Sequence, residues 1–146
     1  MEPVGLLQRW KQTKALLWLK MARAGLRSGN SGMALRFGKL ASCHLETCGL
    51  AKERAIALYI ICTAGYQVGK LRDGLEAGVK AIPLLESAGE VVHVTGVLVL
   101  VGAITKLGGD YAGAIEYYEK ALALAQACNI EAELVNAFLG LCDCHI

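Results

Sequence analysis

Gly108-Gly109-Asp110-Tyr111-Ala112-Gly113-Ala114-Ile115-Glu116-Tyr117-Tyr118-Glu119-Lys120-Ala121-Leu122 is the stretch on which the reading of this chain turns. Two glycines form a turn, and Asp110 is placed to accept the free backbone N–H groups of a helix's first turn. Ala114 and Ala121 then fall seven residues apart, on one helical face, where small side chains let a second helix approach closely.

Stepping outward by 40 residues finds the same sizes again. Ala114 corresponds to Gly74 and Ala34, and Ala121 to Ala81 and Ala41. Gly49, Gly89 and Asn129 keep the interval as well, each following a small residue; glycine and asparagine readily take the left-handed conformation that closes a helix. Upstream in each unit, Trp18, Leu58, Leu98 and Phe138 are large, Met21, Ile61, Val101 and Leu141 apolar, and Ala22, Cys62, Gly102 and Cys142 small. Such self-similarity marks a helical repeat array. The register predicts helices over 13–27, 31–48, 51–68, 72–88, 91–107 and 110–128, with another from 131 onward, and units of 13–49, 50–89, 90–129 and a partial 130–146. Residues 1–12 lie outside it; Pro3 suits a helix start, so this segment either extends the first helix or caps the stack.

The quoted segment resembles the second-helix signature of the tetratricopeptide repeat family. Gly38 and Gly78 stand where that family prefers the aromatic that Tyr118 supplies. The 40-residue spacing is similar to the longer-helix subtype found in polarity adaptors, receptor-clustering scaffolds and regulatory arms of signalling ATPases and cyclases. The resemblance implies an all-α fold, a right-handed α-solenoid of antiparallel helix pairs with about three and a half repeats in one domain, 1–146. The apolar face around Leu134, Phe138 and Leu141 has no second helix after it. This points to a piece of a longer array or to a homodimer through the C-terminal helix.

In this family the first helices line the inner surface. That implies a groove presenting Leu16, Leu19, Lys20, Arg23, Leu26 and Arg27, then Ile56, Tyr59, Ile60, Thr63, Tyr66 and Gln67, then Val99, Ala103 and Lys106, and finally Asn136 and Asp143. Lys20, Arg23, Arg27, Tyr59, Thr63, Tyr66, Gln67, Lys106 and Asn136 would carry its binding chemistry. The surface is basic at its first-repeat end and holds two tyrosines able to bury ring area while offering a hydroxyl. The expected partner is a protein or peptide, acidic and with apolar anchors. Members that clamp a C-terminal carboxylate place a lysine and an asparagine where this chain has Leu19 and Arg23, which argues against that ligand. The expected role is a scaffold or adaptor, with a regulatory or oligomerisation arm of a multidomain signalling enzyme or transcription regulator as the alternative.

Composition narrows the field further. A formal net charge of +2, with only a mild basic enrichment from Arg9 to Lys39, gives no reason to expect nucleic acid. The run from Val97 to Ile104 is broken by Gly102 and is too short to span a bilayer, so no membrane insertion is expected. Six cysteines at irregular intervals suggest no disulfide framework and a reducing, cytoplasmic setting. Cys142 and Cys144 of Cys142-Asp143-Cys144-His145 lie about 200° apart on a helix and cannot both hold one ion there, so no metal or other cofactor is expected. Glu116 can pair with Lys120 across one turn, His44 and His93 read as lone histidines, and Gly25-Leu26-Arg27-Ser28-Gly29 lacks both the lysine and the preceding strand of a phosphate loop. The chain is therefore not expected to be an enzyme. Pro83 predicts a kink or an early helix end near Ile82, and Gly65, Gly69, Gly74 and Gly78 predict a soft second repeat.

Overall fold

The computed structural model describes the backbone of residues 3–144 and the side chains of 5–131 and 136–144. Within them the chain forms seven helices and no strand: α1 (Pro3–Arg27), α2 (Ser31–Cys48), α3 (Ala51–Val68), α4 (Leu71–Ala88), α5 (Val91–Leu107), α6 (Tyr111–Cys128) and α7 (Glu131–Cys144). The register places most boundaries within a residue. Of the two alternatives for the segment before Thr13, it extends the first helix, and α1 starts at Pro3.

Helix stops follow the glycine signals. Gly49, Gly89 and Asn129 have φ of 72°, 73° and 55°, in the left-handed region. The next N–H, of Leu50, Glu90 or Ile130, then reaches back to the carbonyl of Leu45, Leu85 or Ala125 at 3.0–3.2 Å, satisfying an oxygen that the helix end would otherwise leave bare. At the start of α6 the Asp110 Oδ1 accepts from the Gly113 N–H at 3.0 Å, and Asn30 does the same for Met33 at the start of α2. Asp110→Ala should cost about 1 kcal/mol in denaturant unfolding, the usual worth of such a cap.

The helices pair as antiparallel hairpins, and the pairs stack. Ala34 with Ala41, Gly74 with Ala81, and Ala114 with Ala121 are all fully buried at the pair interfaces, as their spacing required. Ala114→Leu or Ala121→Leu should each lower stability by roughly 1–3 kcal/mol through overpacking, read as a fall in the melting temperature. The backbones of α1, α3, α5 and α7 approach one another in succession. The backbones of the second helices α2, α4 and α6 do not approach one another so closely; α2 and α4 are bridged by the long side chain of Lys39, 2.7 Å from Asp73. An array in close contact along one edge and open along the other must curve, so the first helices line the concave side. The result is an all-α solenoid of helix pairs.

Between pairs, size is exchanged across each contact. Gly38 leaves room for Ile60 and Ile61 of α3, with Ile61 Cγ1 3.1 Å from where a Cβ would sit. Gly78 leaves room for Val97 and Val101 of α5, the latter only 2.5 Å from a notional Cβ. In the third unit the sizes are reversed: Tyr118 fills the space, and its ring lies against Gly102 and Gly140. Burial pushes the Tyr118 phenol up to about 12. This reciprocity explains two glycines at positions where the resemblance favours an aromatic.

Two expectations need correction. α4 runs for 18 residues and continues past Pro83, with Leu85 fully buried beyond it, so of the two expected outcomes the early end at Ile82 does not occur. Pro83 is exposed, so the carbonyl it leaves without a helical donor lies where water can serve it. The predicted pair Glu116–Lys120 also does not form; the Lys120 ammonium stands 5.9 Å from the centre of the Tyr117 ring instead.

Candidate binding groove

The concave face holds a hollow of about 710 Å³ between α1, α3 and the start of α5. Leu16, Leu17, Leu19 and Ile56 give it apolar walls, and Lys20, Arg23, Lys52, Glu53, Glu90 and His93 give it a charged margin. A second hollow of about 380 Å³ adjoins it, sharing Arg23, Ile56 and His93 and adding Leu26, Arg27, Tyr59 and Ile60. Together they form one trough along the first three inner helices. Concave apolar walls with a few convergent polar groups are the usual form of a recognition site.

The charges are unevenly engaged. Glu90 is held by His93, whose Nδ1 lies 3.2 Å away, and by Lys52 at 3.4 Å; these two partners hold its carboxyl below the ordinary range. The lowered pKa means the contact stabilises the fold at pH above the ordinary carboxylate range and is lost as acid protonates Glu90. The His93 ring stands edge-on to Tyr59, with centroids 4.8 Å apart. By contrast, Lys20, Arg23 and Arg27 are exposed and pair with no carboxylate among the described residues. The trough therefore keeps three uncompensated cations beside its apolar floor.

Of the nine residues assigned to binding, the structure brings Lys20, Arg23, Arg27 and Tyr59 to these hollows and leaves the other five outside them. The Thr63 hydroxyl donates to the Tyr59 carbonyl at 3.0 Å, Gln67 is hydrogen-bonded to Ser31, and Lys106 pairs with Asp143 at 3.2 Å. Tyr66 and Asn136 are exposed further along the array. Leu19 and Ile60, projected as groove-lining, are only 4% and 1% exposed. They belong to the core and only edge the trough, because the apolar stripe of a packed helix is wide enough to reach the inner side.

The lining residues that sequence reading missed are Thr13, Leu17, Lys52, Glu53, Glu90 and His93. The signal was present in part. Glu90 and His93 are three apart at a helix start and so share a face, which gives His93 the carboxylate neighbour it was expected to lack. Lys52, 38 residues upstream of Glu90, meets it only after the pairs have stacked.

The cysteines show no shared site. Among the described residues no three of histidine, cysteine, aspartate and glutamate converge as metal ligands, and His145 lies outside those residues. Cys62 is fully buried, which pushes its thiol up to about 12, whereas Cys43, Cys128 and Cys142 are exposed. In a native thiol titration Cys43, Cys128 and Cys142 should react within minutes and Cys62 only after denaturation. Rapid labelling of Cys62 would show that the α3–α4–α5 core opens readily.

No family model matches the chain, and no curated protein matches it significantly. Among solved structures it is similar to a signal transduction ATPase with numerous domains, carrying a tetratricopeptide repeat sensor, from Pyrococcus horikoshii. The identity is 21% and the TM-score 0.69, over 92% of this chain and 21% of that one, so this chain spans about a fifth of that protein's length. The likeness, with the helix pairs and their 40-residue register, shows a fold of the tetratricopeptide-like helical repeat type.

Proposed function

We propose that the protein is a binding module of the long-helix tetratricopeptide kind, which grips a partner segment in the trough of α1, α3 and α5 and performs no catalysis of its own. The observation that carries this reading is the trough itself, with an apolar floor of Leu16, Leu17 and Ile56 beside the unpaired cations Lys20, Arg23 and Arg27. It suits an acidic peptide or helix that buries apolar side chains between its carboxylates. Tyr59, half-buried and braced by His93, would offer its hydroxyl to the partner backbone.

A second reading is favoured by the similar solved protein, whose repeat array is a sensor within a much larger ATPase. On that reading the trough belongs to a regulatory arm and receives a segment of its own assembly. Molar mass by light scattering, with mass spectrometry of what co-purifies from native extract, separates the two. A monomer carrying one stoichiometric partner is expected for the adaptor. A chain that binds nothing and dimerises would replace that reading with the oligomerising arm.

A further inference from the structure

We propose that the outward side of α1 docks the protein onto an anionic lipid surface, the helix lying in the headgroup plane with Leu6, Trp10, Leu17 and Met21 turned into it. This inference concerns the outward side of α1, which meets the trough only at the edge formed by Leu17 and Lys20, and does not rest on the peptide-binding reading.

The other first helices start at Ala51, Val91 and Glu131, a register that would start α1 at Lys11; it begins instead at Pro3, so about two extra turns overhang the stack. Leu6, Trp10, Leu17 and Met21 form a line along α1, on the side away from the buried Ala15, Leu19 and Ala22. They are 53%, 63%, 56% and 36% exposed, and Trp10 is the most exposed large apolar side chain among the described residues. The line is about 22 Å long at 1.5 Å per residue.

Charge selects the occupant. From Pro3 to Arg27 the helix carries six basic residues and no acidic one. Arg9 and Lys20 flank the apolar line on one side, Lys11 and Lys14 on the other, all exposed; the Lys14 ammonium stands 4.8 Å from the centre of the Trp18 ring, and the stems of Arg9 and Lys20 can lie along the line while their cations reach outward. A negatively charged leaflet attracts this arrangement. Two copies of the same face would repel each other. A further repeat stacked in the internal register would also meet a penalty, because Lys20 stands where α3 buries Ile60 and Lys14 where α5 buries Val94. An exposed tryptophan beside basic residues suits the boundary between headgroups and acyl chains. Adsorption of this kind needs no spanning segment, and no described helix is long and apolar enough to cross a membrane.

Flotation of the full chain with phosphatidylcholine vesicles, and with vesicles that also carry phosphatidylserine, tests this. The expected result is partition to the anionic vesicles only, declining with added salt, with a blue shift of tryptophan emission on binding. Leu6→Ser with Trp10→Ser, and separately Arg9→Glu with Lys11→Glu, should each lower partition at least about tenfold. Both pairs should keep the wild-type circular dichroism and melting, since none of these side chains enters the core. Absence of flotation, or equal flotation with neutral and anionic vesicles, overturns the proposal. If the Leu6→Ser, Trp10→Ser pair instead converts a dimer to a monomer in light scattering, the face belongs to a second copy.

Discussion

Replacing Gly140 by leucine should destabilise the protein by about 3 kcal/mol, because the new side chain must displace the Tyr118 ring from the only space it has. Any Cβ at Gly140 overlaps that ring, which also lies close against the backbone of Gly102, where a notional Cβ would stand 3.1–3.3 Å from the same ring atoms. At the equivalent position the inner repeats carry Ile60, packed into the space left by Gly38, and Leu100, half-buried. Leucine is therefore tolerated at this register position when the facing residue is small. Tyr118→Gly alone should also cost several kcal/mol, through the cavity left by a buried aromatic. The informative quantity is the double variant: Gly140→Leu with Tyr118→Gly should be less damaging than the two single effects summed, by about 2 kcal/mol. Additive losses in denaturant titrations would show that the size exchange between units is not a coupled one.

The second large effect concerns binding. Arg23→Glu together with Arg27→Glu should weaken an acidic partner on the order of a hundredfold, about 2.7 kcal/mol, and flatten the salt dependence of its association. Both arginines are exposed and pair with no carboxylate among the described residues, so melting should move little. Lys106→Glu is the matched control. Lys106 pairs with Asp143 of α7 and lies outside the two hollows, so its reversal should disturb the α5–α7 contact and leave partner affinity nearly unchanged. Equal losses from the two reversals would mean that general charge, and not the trough, attracts the partner.

The placement of the cations explains why only part of the projected groove lines the two hollows. Projection of one helical face along four repeats assumes that every inner position sees the same surroundings. At the first unit this holds, and Lys20, Arg23 and Arg27 remain open. Further along, Thr63, Gln67 and Lys106 are taken up by contacts to a carbonyl, to Ser31 and to Asp143. Two of those three partners belong to other helices and are invisible to a one-helix projection.

The sequence by itself determined the helices, their ends and their pairing. Capping, glycine stops and small-residue faces act within about one turn or recur at a fixed interval, so their physical cause is local and can be read along the chain. Only the tertiary structure decided where the trough opens, which cations stay unpaired, and that Lys52, Glu90, His93 and Tyr59 meet in its wall. It also decided that Gly38 and Gly78 pack as tightly as Tyr118 does. These outcomes depend on the side chain that faces each residue from a neighbouring helix, and on the angle at which the helix pairs stack. A size missing on one helix is supplied by another tens of residues away, and a charge is free or bound according to what that stacking brings within about 4 Å.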